Sequence, residues 1–454
     1  MNRFEKIVLT IFFIELFVGG GGRLIDFGIL SIRQVLFLLI ILMLVIRIVK
    51  ERAFLDKSIN TFIRFNPVTI GIYALLAWFV ASAAIGFVNG HPLSIIVMDF
   101  FRVSFFLAYF PLAYYISKER FPKERIISIL KYSAVIVSIF TISVSLLGKT
   151  VFNDNFVPFY NFMNYIMNDD LFFRPSKSVF YKSHFFVLIG LIIALNDLLN
   201  KKYTKLDIVL VVFGTISIIW SETRGFLLAF MASLLMIILL DAKLVTDPYK
   251  KFVGKLKNLF QTKWFVKKVS ILLVIMFIVP FLYKYMTLER FQEEVVVENK
   301  YSQDEKQQTS KHQEKPEIND VSVNSRLDFM LDSKAILLNN PVNFVFGSGY
   351  GTEIAGRLDG IEMSFLDILV EQGLIGLATW LFLCILVFYN YYAGYKKGKK
   401  LGTLEISFMA AFFGLLLVTN INPFINNSIG ICFFLLILIL SQEWKESTLN
   451  GEGL

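Results

Sequence analysis

The chain contains 454 residues, of which 56% are hydrophobic and only 18% are charged, and its formal net charge is +9. About a quarter of the residues of a soluble domain are charged, so this composition excludes an ordinary soluble protein. The apolar runs are long enough for transmembrane helices rather than barrel strands, which predicts an all-α polytopic membrane protein. Because basic residues mainly set topology in such proteins, the positive charge does not indicate nucleic-acid binding. Cys384 and Cys432 lie inside apolar runs and the three histidines are scattered, so neither a disulfide nor a metal site is predicted.

The apolar segments predict about twelve transmembrane helices. The first segment lacks a signal-peptide cleavage site, so an uncleaved helix is expected. Lysines and arginines cluster in alternate loops, such as 243–268, which predicts that these loops and both termini are cytoplasmic. The chain then divides into nine helices over 1–286, a large extracytoplasmic loop over 287–363, and three helices over 364–454. The segments lie near 6–20, 29–49, 67–88, 94–117, 126–147, 181–199, 206–220, 225–240, 269–286, 364–391, 404–420 and 425–441.

The large loop has two parts of different composition. Residues 292–320 are rich in Gln, Glu and Lys, which is typical of a solvated segment. Residues 324–340 have a helical pattern of apolar positions, with Ser325 as N-cap and Pro341 after the end, which predicts an amphipathic helix on the outer membrane face. Its apolar positions are Leu327, Met330, Leu331, Ile336, Leu337 and Leu338. The glycine-rich stretch 346–351 follows without a βαβ context, so it predicts a flexible turn near a polar ligand rather than a dinucleotide site.

A polar stretch, residues 220–226, interrupts an apolar run of 35 residues from Leu206 to Leu240. Two helices across a ~30 Å hydrocarbon layer need about 40 residues, so the interruption is expected to be a tight turn slightly inside the membrane surface. Ionisable groups are costly at that depth, so Glu222 and Arg224 are expected to face a wet cavity. An ordinary interhelical turn, with its arginine reaching lipid headgroups, is the alternative.

Six arginines fall in the outer half of this topology, where the positive-inside rule depletes them. Arginine forms bidentate, permanently charged contacts, so together they predict an outward-facing cavity for a phosphate or diphosphate, most simply that of a lipid-linked substrate. Alternatively each arginine separately contacts lipid phosphates or a nearby carboxylate, as Asp99 could do for Arg102. The six are Arg23, Arg33, Arg102, Arg174, Arg224 and Arg326.

The order of several short motifs resembles the superfamily of O-antigen ligases and O-antigen polymerases. Trp220-Ser221-Glu222-Thr223-Arg224-Gly225 is similar to its Ser-x-(Ser/Thr)-Arg-Gly turn between two helices. Downstream lie Asn324-Ser325-Arg326-Leu327, Asn340-Pro341, Phe346-Gly347-Ser348-Gly349-Tyr350-Gly351, Glu362-Met363-Ser364-Phe365-Leu366-Asp367 and Glu371-Gln372-Gly373-Leu374-Ile375-Gly376. Arg174-Pro175-Ser176 also suits the family. The resemblance covers about 170–380.

The resemblance implies a metal-independent, GT-C-like membrane glycosyltransferase without a cofactor. Such enzymes take a glycan from an undecaprenyl-diphosphate carrier on the outer face of the cytoplasmic membrane and transfer it to a glycan acceptor. The positions matching Arg224 and Arg326 are those that engage the diphosphate. Ligases carry a His-Asn pair after the glycine-rich turn, whereas this region reads Glu362-Met363-Ser364 here, with no histidine, which favours a polymerase. Membrane lipid and a chain-length regulator protein are the further candidate partners.

A site hypothesis follows from the arginines and the resemblance together. Glu362 is the candidate general base for the acceptor hydroxyl, with Glu222 second; Glu362 could instead favour a helix N-terminus, and Glu222 could be a salt-bridge partner of Arg224. The catalytic candidates are Arg224, Arg326 and Glu362, and the substrate-binding candidates are Arg174, Arg102, Arg33, Ser221, Glu222 and Tyr350. A ligase for another acceptor, a flippase or transporter of the lipid-linked glycan, and a non-catalytic scaffold are the alternative functions.

Overall fold

A computed structural model describes residues 1–22, 30–117, 120–241, 270, 321–358, 360–398 and 400–449. The predicted solvated segment 292–320 and Arg23 lie outside the described residues, as does the predicted helix 269–286 apart from Ser270. The described helices are α1 Arg3–Val18, α2 Ile32–Lys50, α3 Pro67–Val88, α4 Leu93–Ser104, α5 Tyr109–Ile116, α6 Lys123–Lys149, α7 Phe156–Ile166, α8 His184–Leu199, α9 Lys205–Trp220, α10 Arg224–Asp241, α11 Val321–Asn339, α12 Pro341–Phe346, α13 Ser364–Lys396, α14 Thr403–Val418 and α15 Ser428–Leu449.

The helices have the lengths and composition expected of a polytopic membrane protein. In the described part of the chain, seven are long and apolar enough to cross a membrane, and the helices His184–Leu199 and Thr403–Val418 are apolar but shorter. The all-α membrane class is therefore confirmed, while the count of twelve spans stays a prediction. Eleven predicted segments fall on described helices, although the fourth is divided into α4 and α5 by the 3₁₀ turn Phe105–Ala108. The seven spans are Ile32–Lys50, Pro67–Val88, Leu93–Ile116, Lys123–Lys149, Arg224–Asp241, Ser364–Lys396 and Ser428–Ser447.

A two-stranded hairpin interrupts the helical order between α7 and α8. Strand β1, Leu171–Phe173, pairs antiparallel with β2, Val179–Tyr181. The turn between the strands contains Arg174, whose N–H donates to the Ser178 carbonyl at 2.7 Å. Because both strands are only three residues long, packing against α6 and the turn at 221–225 is needed to hold the hairpin in place.

Helix α11 packs through a narrow stripe rather than through the whole predicted apolar face. Phe329 and Leu337, two turns apart, are buried in a small separate core with Ile354, Ile361 and Val370. The sequence pattern predicts that Leu337 shares one buried face with the other apolar residues of this helix. In the structure the helix packs through Phe329 and Leu337, so most of the other predicted residues are exposed. The exposed ones are Leu327, Met330, Leu331 and Leu338. They form an apolar surface of the kind that an interfacial helix presents to lipid.

Helix α13 is broken at Gly373, which has φ +65° and ψ −172°. A glycine is required there because this backbone conformation is strained for any other residue. The break leaves nearby carbonyl groups without helical partners, and these bind neighbouring elements. The carbonyl of Glu371 accepts from Gly349 N–H at 3.0 Å and from Ser82 Oγ at 2.8 Å, and that of Gln372 accepts from Trp78 Nε1 at 2.7 Å. The Glu-Gln-Gly motif thus fixes the glycine-rich turn against α3.

Candidate functional site

The turn between α9 and α10 is held by its own polar side chains. Ser221 is fully buried, and its Oγ donates to the Ile218 carbonyl at 2.7 Å. Thr223 Oγ1 donates to the Ser221 carbonyl at 3.1 Å. Glu222, between them, has a left-handed φ of +50°, a conformation that costs a non-glycine residue about 1 kcal/mol or more. Ser221 therefore shapes the turn, and Arg224 begins α10 at a fixed position.

The β1–β2 hairpin delivers Arg174 to this turn. The Arg174 Nε donates to the Ser221 carbonyl and its Nη2 to Thr223 Oγ1, both at 3.3 Å, and the guanidinium lies 5.6 Å from the centre of the Phe180 ring. Ser176, in the same hairpin turn, donates a short hydrogen bond to the Glu222 carboxylate. Two predicted substrate-binding residues, Arg174 and Glu222, thus belong to one structural unit with the turn.

The loop between α14 and α15, residues 419–427, connects this unit to Arg326. A Cβ added at Gly225 would lie 3.1 Å from Ile421 Cγ2, so the turn and the loop are in close contact. On the other side, Arg326 Nη2 lies 3.5 Å from the Ile421 carbonyl oxygen. Gly225 and Arg326 therefore flank the same residue, although about a hundred residues separate them in the sequence. The structure thus places the two arginine motifs on either side of one residue of this loop.

Glu362 lies beside Arg326 and is shared with a second arginine. Its Oε2 is 3.5 Å from Arg326 Nη2, and its Oε1 is 3.9 Å from Arg357 Nη1. Two guanidinium groups and one carboxylate leave an excess positive charge, and the side chains of Arg326 and Glu362 are 28% and 38% exposed. The Nε of Arg326 is buried without a hydrogen-bond partner among the described residues. This arrangement suits an anion that reaches the site from solvent or from the membrane surface.

The N-terminus of α10 adds to the positive potential of the site. Arg224 is its first residue, and the helix contains 18 residues. The first backbone N–H groups of a helix and its dipole favour an anion near this end. Arg224 is half-buried at this position, next to the Gly225–Ile421 contact. The helix terminus, Arg174 and Arg326 are thus arranged around a small region at 221–225 and 421–422.

Two of the arginine candidates lie in other environments. Arg33 is 1% exposed, and its Nε forms an ion pair with Glu15 at 2.9 Å while Nη1 donates to Ser428 Oγ at 3.1 Å. A fully buried, ion-paired guanidinium is a structural element of the α1–α2 packing. The substrate-binding role of Arg33 has no support from this placement.

Arg102 is surrounded by three buried carboxyl groups. Its Nη2 lies 3.1 Å from Asp99 Oδ1, 3.7 Å from Asp367 Oδ2 and 3.6 Å from Glu371 Oε2. These contacts hold together α4, the start of α13 and the residues before its break. Arg102 and Lys182 also line a cavity of about 210 Å³. The carboxyl groups more than compensate its charge, which makes it less suited to an anion than Arg326.

Tyr350 is fully buried beneath the glycine-rich turn. Its backbone N–H donates to the Ser82 carbonyl at 3.2 Å, and its own carbonyl accepts from His91 Nδ1 at 2.8 Å. Burial, followed by the negative charge of Glu371, raises the pKa of the Tyr350 hydroxyl well above its usual range. The phenol therefore stays neutral, and its buried position does not offer it to a substrate.

Three parts of the site escaped the sequence argument. The loop 419–427 carries the contact between Gly225 and Arg326, and its four asparagines at 420, 422, 426 and 427 were a usable signal for a structured polar loop. Ser176 belongs to the motif Arg174-Pro175-Ser176 and Arg357 lies between two of the motifs, but nothing in the sequence pairs them with Glu222 and Glu362. In the part of the chain that the structure describes, no group of three or more His, Cys, Asp or Glu side chains could hold a metal ion.

Comparisons with known proteins converge on one family. The Wzy_C family model, described as O-antigen ligase, matches residues 209–381, which include the 221–225 turn, Arg326, Glu362 and the break at Gly373. The chain is also 28% identical over 447 residues to a protein of Shigella flexneri named O-antigen polymerase. That match covers 97% of this chain and 95% of the relative.

Proposed function

Because the chain belongs to the superfamily of O-antigen polymerases and ligases, we propose that it is a membrane glycosyltransferase that polymerises the repeat units of a surface polysaccharide. The product is an O-antigen, a capsule or an exopolysaccharide. The donor is a glycan on undecaprenyl diphosphate, and the acceptor is a hydroxyl of a second lipid-linked glycan. The name of the Shigella flexneri relative supports polymerisation over ligation. The absence of a histidine at Glu362-Met363 supports it as well.

One observation supports this proposal above all. Arg326 lies on one side of the loop residues 421–422, and the turn that holds Arg174 and Arg224 lies on the other. When the bond between the sugar and the diphosphate breaks, negative charge develops on the leaving oxygen. Fixed cations and the N-terminus of α10 at this place stabilise the transition state more than the ground state, which lowers the barrier. Arg224 and Arg326 therefore engage the diphosphate directly, and Arg174 supports them from the hairpin.

Glu362 is the proposed general base for the acceptor hydroxyl. Its partly exposed carboxylate lies 3.5 Å from Arg326, so it borders the diphosphate site without being buried. The hydroxyl oxygen attacks the anomeric carbon and its proton passes to Glu362. The bond between that carbon and the diphosphate oxygen breaks, and its electron pair leaves with the diphosphate. Direct displacement inverts the anomeric centre. Glu222 is the second candidate, although its hydrogen bond from Ser176 already gives it a role in holding the hairpin on the turn.

The site is proposed to lie on the outer face of the cytoplasmic membrane, with both termini in the cytoplasm. The clusters of lysine and arginine in the alternate loops support this orientation. The exposed apolar residues of α11 support the proposal that this helix lies at the membrane surface beside the site. Catalysis is proposed to be metal-independent, with arginines rather than a divalent ion opposite the diphosphate. A chain-length regulator protein is a proposed partner.

The proposal is tested by glycan extension with the full-length protein in detergent. Lipid-linked repeat units from the host membrane are the substrate, product length is read on a gel, and anomeric configuration is read by NMR. We expect a ladder with steps of one repeat unit and an inverted linkage. Arg224→Ala should lower the rate by about 100-fold or more. Arg64→Ala is the matched control, because Arg64 donates to the backbone carbonyl of Ser58, away from the site.

Each other outcome has a distinct meaning. If Arg224→Ala forms the ladder at the wild-type rate, the proposed contact of Arg224 with the diphosphate is wrong. A single transfer of the whole glycan to another acceptor indicates a ligase. A flippase changes no covalent bond, so unchanged substrate in detergent together with movement of the lipid-linked glycan across vesicles would contradict the enzymatic function.

A further inference from the structure

A polar cavity of about 630 Å³ lies between three segments of the chain, apart from the arginine site. The loop at 89–92 forms one wall, the junction of α11 and α12 forms the second, and the glycine-rich turn at 348–353 forms the third. The volume falls within the usual range for ligand sites. Asn339 and Glu353 are exposed, so solvent reaches the cavity.

Several polar side chains in the walls retain hydrogen-bonding atoms for a ligand. Asn89 Nδ2 donates to the Ser348 carbonyl at 2.9 Å, which leaves its Oδ1 available. The His91 Nδ1 faces the Tyr350 carbonyl at 2.8 Å; since a carbonyl only accepts, Nδ1 carries the proton and Nε2 remains available. These two side chains are therefore both anchored and able to bind.

The opposite walls add further uncommitted groups. Asn343 Nδ2 donates to the Ile336 carbonyl at 3.3 Å, so its Oδ1 remains. Asn339 and Glu353 also line the cavity, and their exposed side chains add an amide and a carboxylate. Amide, imidazole and carboxylate groups thus line one volume, and no lysine or arginine is among the described residues that line it.

This chemistry fits a neutral molecule with many hydroxyl groups. Hydroxyls both donate and accept, so they can satisfy amide oxygens, amide N–H groups and a carboxylate together. A diphosphate is not suited to it, because Glu353 repels an anion and the walls, as far as the structure describes them, contain no lysine or arginine. A lipid chain is not suited to it either, since these polar groups would be buried without partners. The cavity and the arginine site therefore differ in the ligands they can hold.

The cavity is also connected to the arginine site along the protein surface. Asn339 lies thirteen residues after Arg326 on α11, which is about 20 Å along the helix. Leu358 lines the cavity, and its neighbour Arg357 contacts Glu362 at 3.9 Å. A glycan whose reacting end lies at Glu362 would reach the cavity several sugar residues further along. We propose that this cavity is a glycan subsite that holds uncharged sugar residues at a distance from the new bond; this inference rests on the proposed function.

The test measures binding and catalysis separately. The binding probe is soluble oligosaccharide released by mild acid from the lipid-linked glycans of the host membrane, titrated into the full-length protein in detergent. One lost hydrogen bond corresponds to about a 5-fold change, so Asn339→Ala should weaken binding by about that factor, and Asn339→Trp, which fills the cavity, should abolish it. Asn155→Ala is the matched control, because this exposed asparagine lies at the start of α7 and its side chain makes no capping bond.

Extension assays then distinguish which glycan occupies the subsite. If the growing donor chain binds there, Asn339→Trp should shorten the products while the first transfer keeps its rate. If the acceptor repeat unit binds there, the variant should raise the acceptor KM and leave kcat unchanged. Unchanged oligosaccharide affinity in Asn339→Trp would overturn the subsite. A wild-type protein that binds the oligosaccharide through Asn339 but extends no glycan would overturn the proposed function and leave the subsite standing.

Discussion

Arg102 and Arg326 are both arginines of the predicted outer half of the protein, but their surroundings differ. Arg102 lies within 3.7 Å of three carboxyl groups, all from buried side chains of helices α4 and α13. Arg326 shares one partly exposed carboxylate with Arg357 and lies beside a backbone carbonyl of the 419–427 loop. The first region has an excess of acidic groups and the second an excess of basic ones.

Position in the topology therefore does not by itself identify an anion site. An arginine inside a membrane protein must be compensated, either permanently by protein carboxylates or transiently by a ligand. Arg102 and Arg33 are compensated by carboxylates of the protein. At Arg326 the compensation is incomplete, so an anionic ligand can supply the remainder. Counting the nearby carboxylates thus separates Arg33 and Arg102, which are compensated within the protein, from Arg326, where positive charge is in excess.

The largest expected effect is on folding, at Arg102. Arg102→Leu would leave Asp99, Asp367 and Glu371 buried together without their cation, and loss of one partner from a buried ion pair costs about 3–5 kcal/mol. We expect loss of most folded protein, measured by thermal unfolding and by size-exclusion profile in detergent. The double variant Arg102→Leu with Glu371→Gln should recover part of the stability. If Arg102→Leu were as stable as wild type, the structural assignment of this arginine would be wrong.

A smaller effect is expected at Arg326, and it should appear in catalysis rather than in folding. Arg326→Ala removes a cation from the proposed transition-state site, which costs about 3–4 kcal/mol, or roughly a thousandfold in kcat. The side chain is partly exposed, so the unfolding temperature should change little. Arg357→Ala is the comparison variant, because it removes the other contact of Glu362 and leaves the contact of Arg326 with the Ile421 carbonyl in place. An equal loss of activity in both variants would indicate that Glu362 alone matters.

The sequence could predict the helices and the two arginine motifs because these depend on local composition. Apolar runs define helices whatever surrounds them, and the 221–225 turn is visible as a polar interruption. The compensation of Arg102 was only partly visible: Asp99 lies three residues away on the same helix, but Asp367 and Glu371 come from a distant part of the chain. The α11 face was predicted incompletely because Phe329 packs on Ile354 and Ile361, which a helical pattern cannot indicate.

The proposed site depends on a contact with the 419–427 loop, which no motif of the sequence indicates. The sequence predicts that Arg224 and Arg326 contribute to one site. In the structure the loop at 419–427 lies between their motifs. That loop is fixed by Ser364, whose N–H donates to the Thr419 carbonyl at 3.0 Å, and by Asn426, which donates to Asp367 at 2.8 Å. The same Asp367 lies near Arg102. Asp367 therefore contacts both Arg102 in the acidic region and the loop that lies beside Arg326, which connects the two regions structurally.

The smallest expected effect concerns the hairpin that supports the basic region. Ser176→Ala removes the hydroxyl that donates to Glu222, and a hydrogen bond to a charged group contributes about 1.5–3 kcal/mol. The contacts of Arg174 with Ser221 and Thr223 should still hold the hairpin on the turn, so we expect about a 10-fold decrease in kcat and a small decrease in the unfolding temperature. Extension assays with saturating substrate measure it.

Ser128→Ala is the control for Ser176→Ala, because the exposed Ser128 only donates to a carbonyl of its own helix. A double variant, Ser176→Ala with Glu222→Gln, distinguishes a structural role of Glu222 from a catalytic one. If Glu222 only holds the hairpin, the double variant should be no worse than Glu222→Gln alone, since both changes remove the same hydrogen bond. If Glu222 is instead the base, Glu222→Gln alone should lower kcat by about 100-fold or more, far beyond the effect at Ser176, and Glu362 would lose its proposed role.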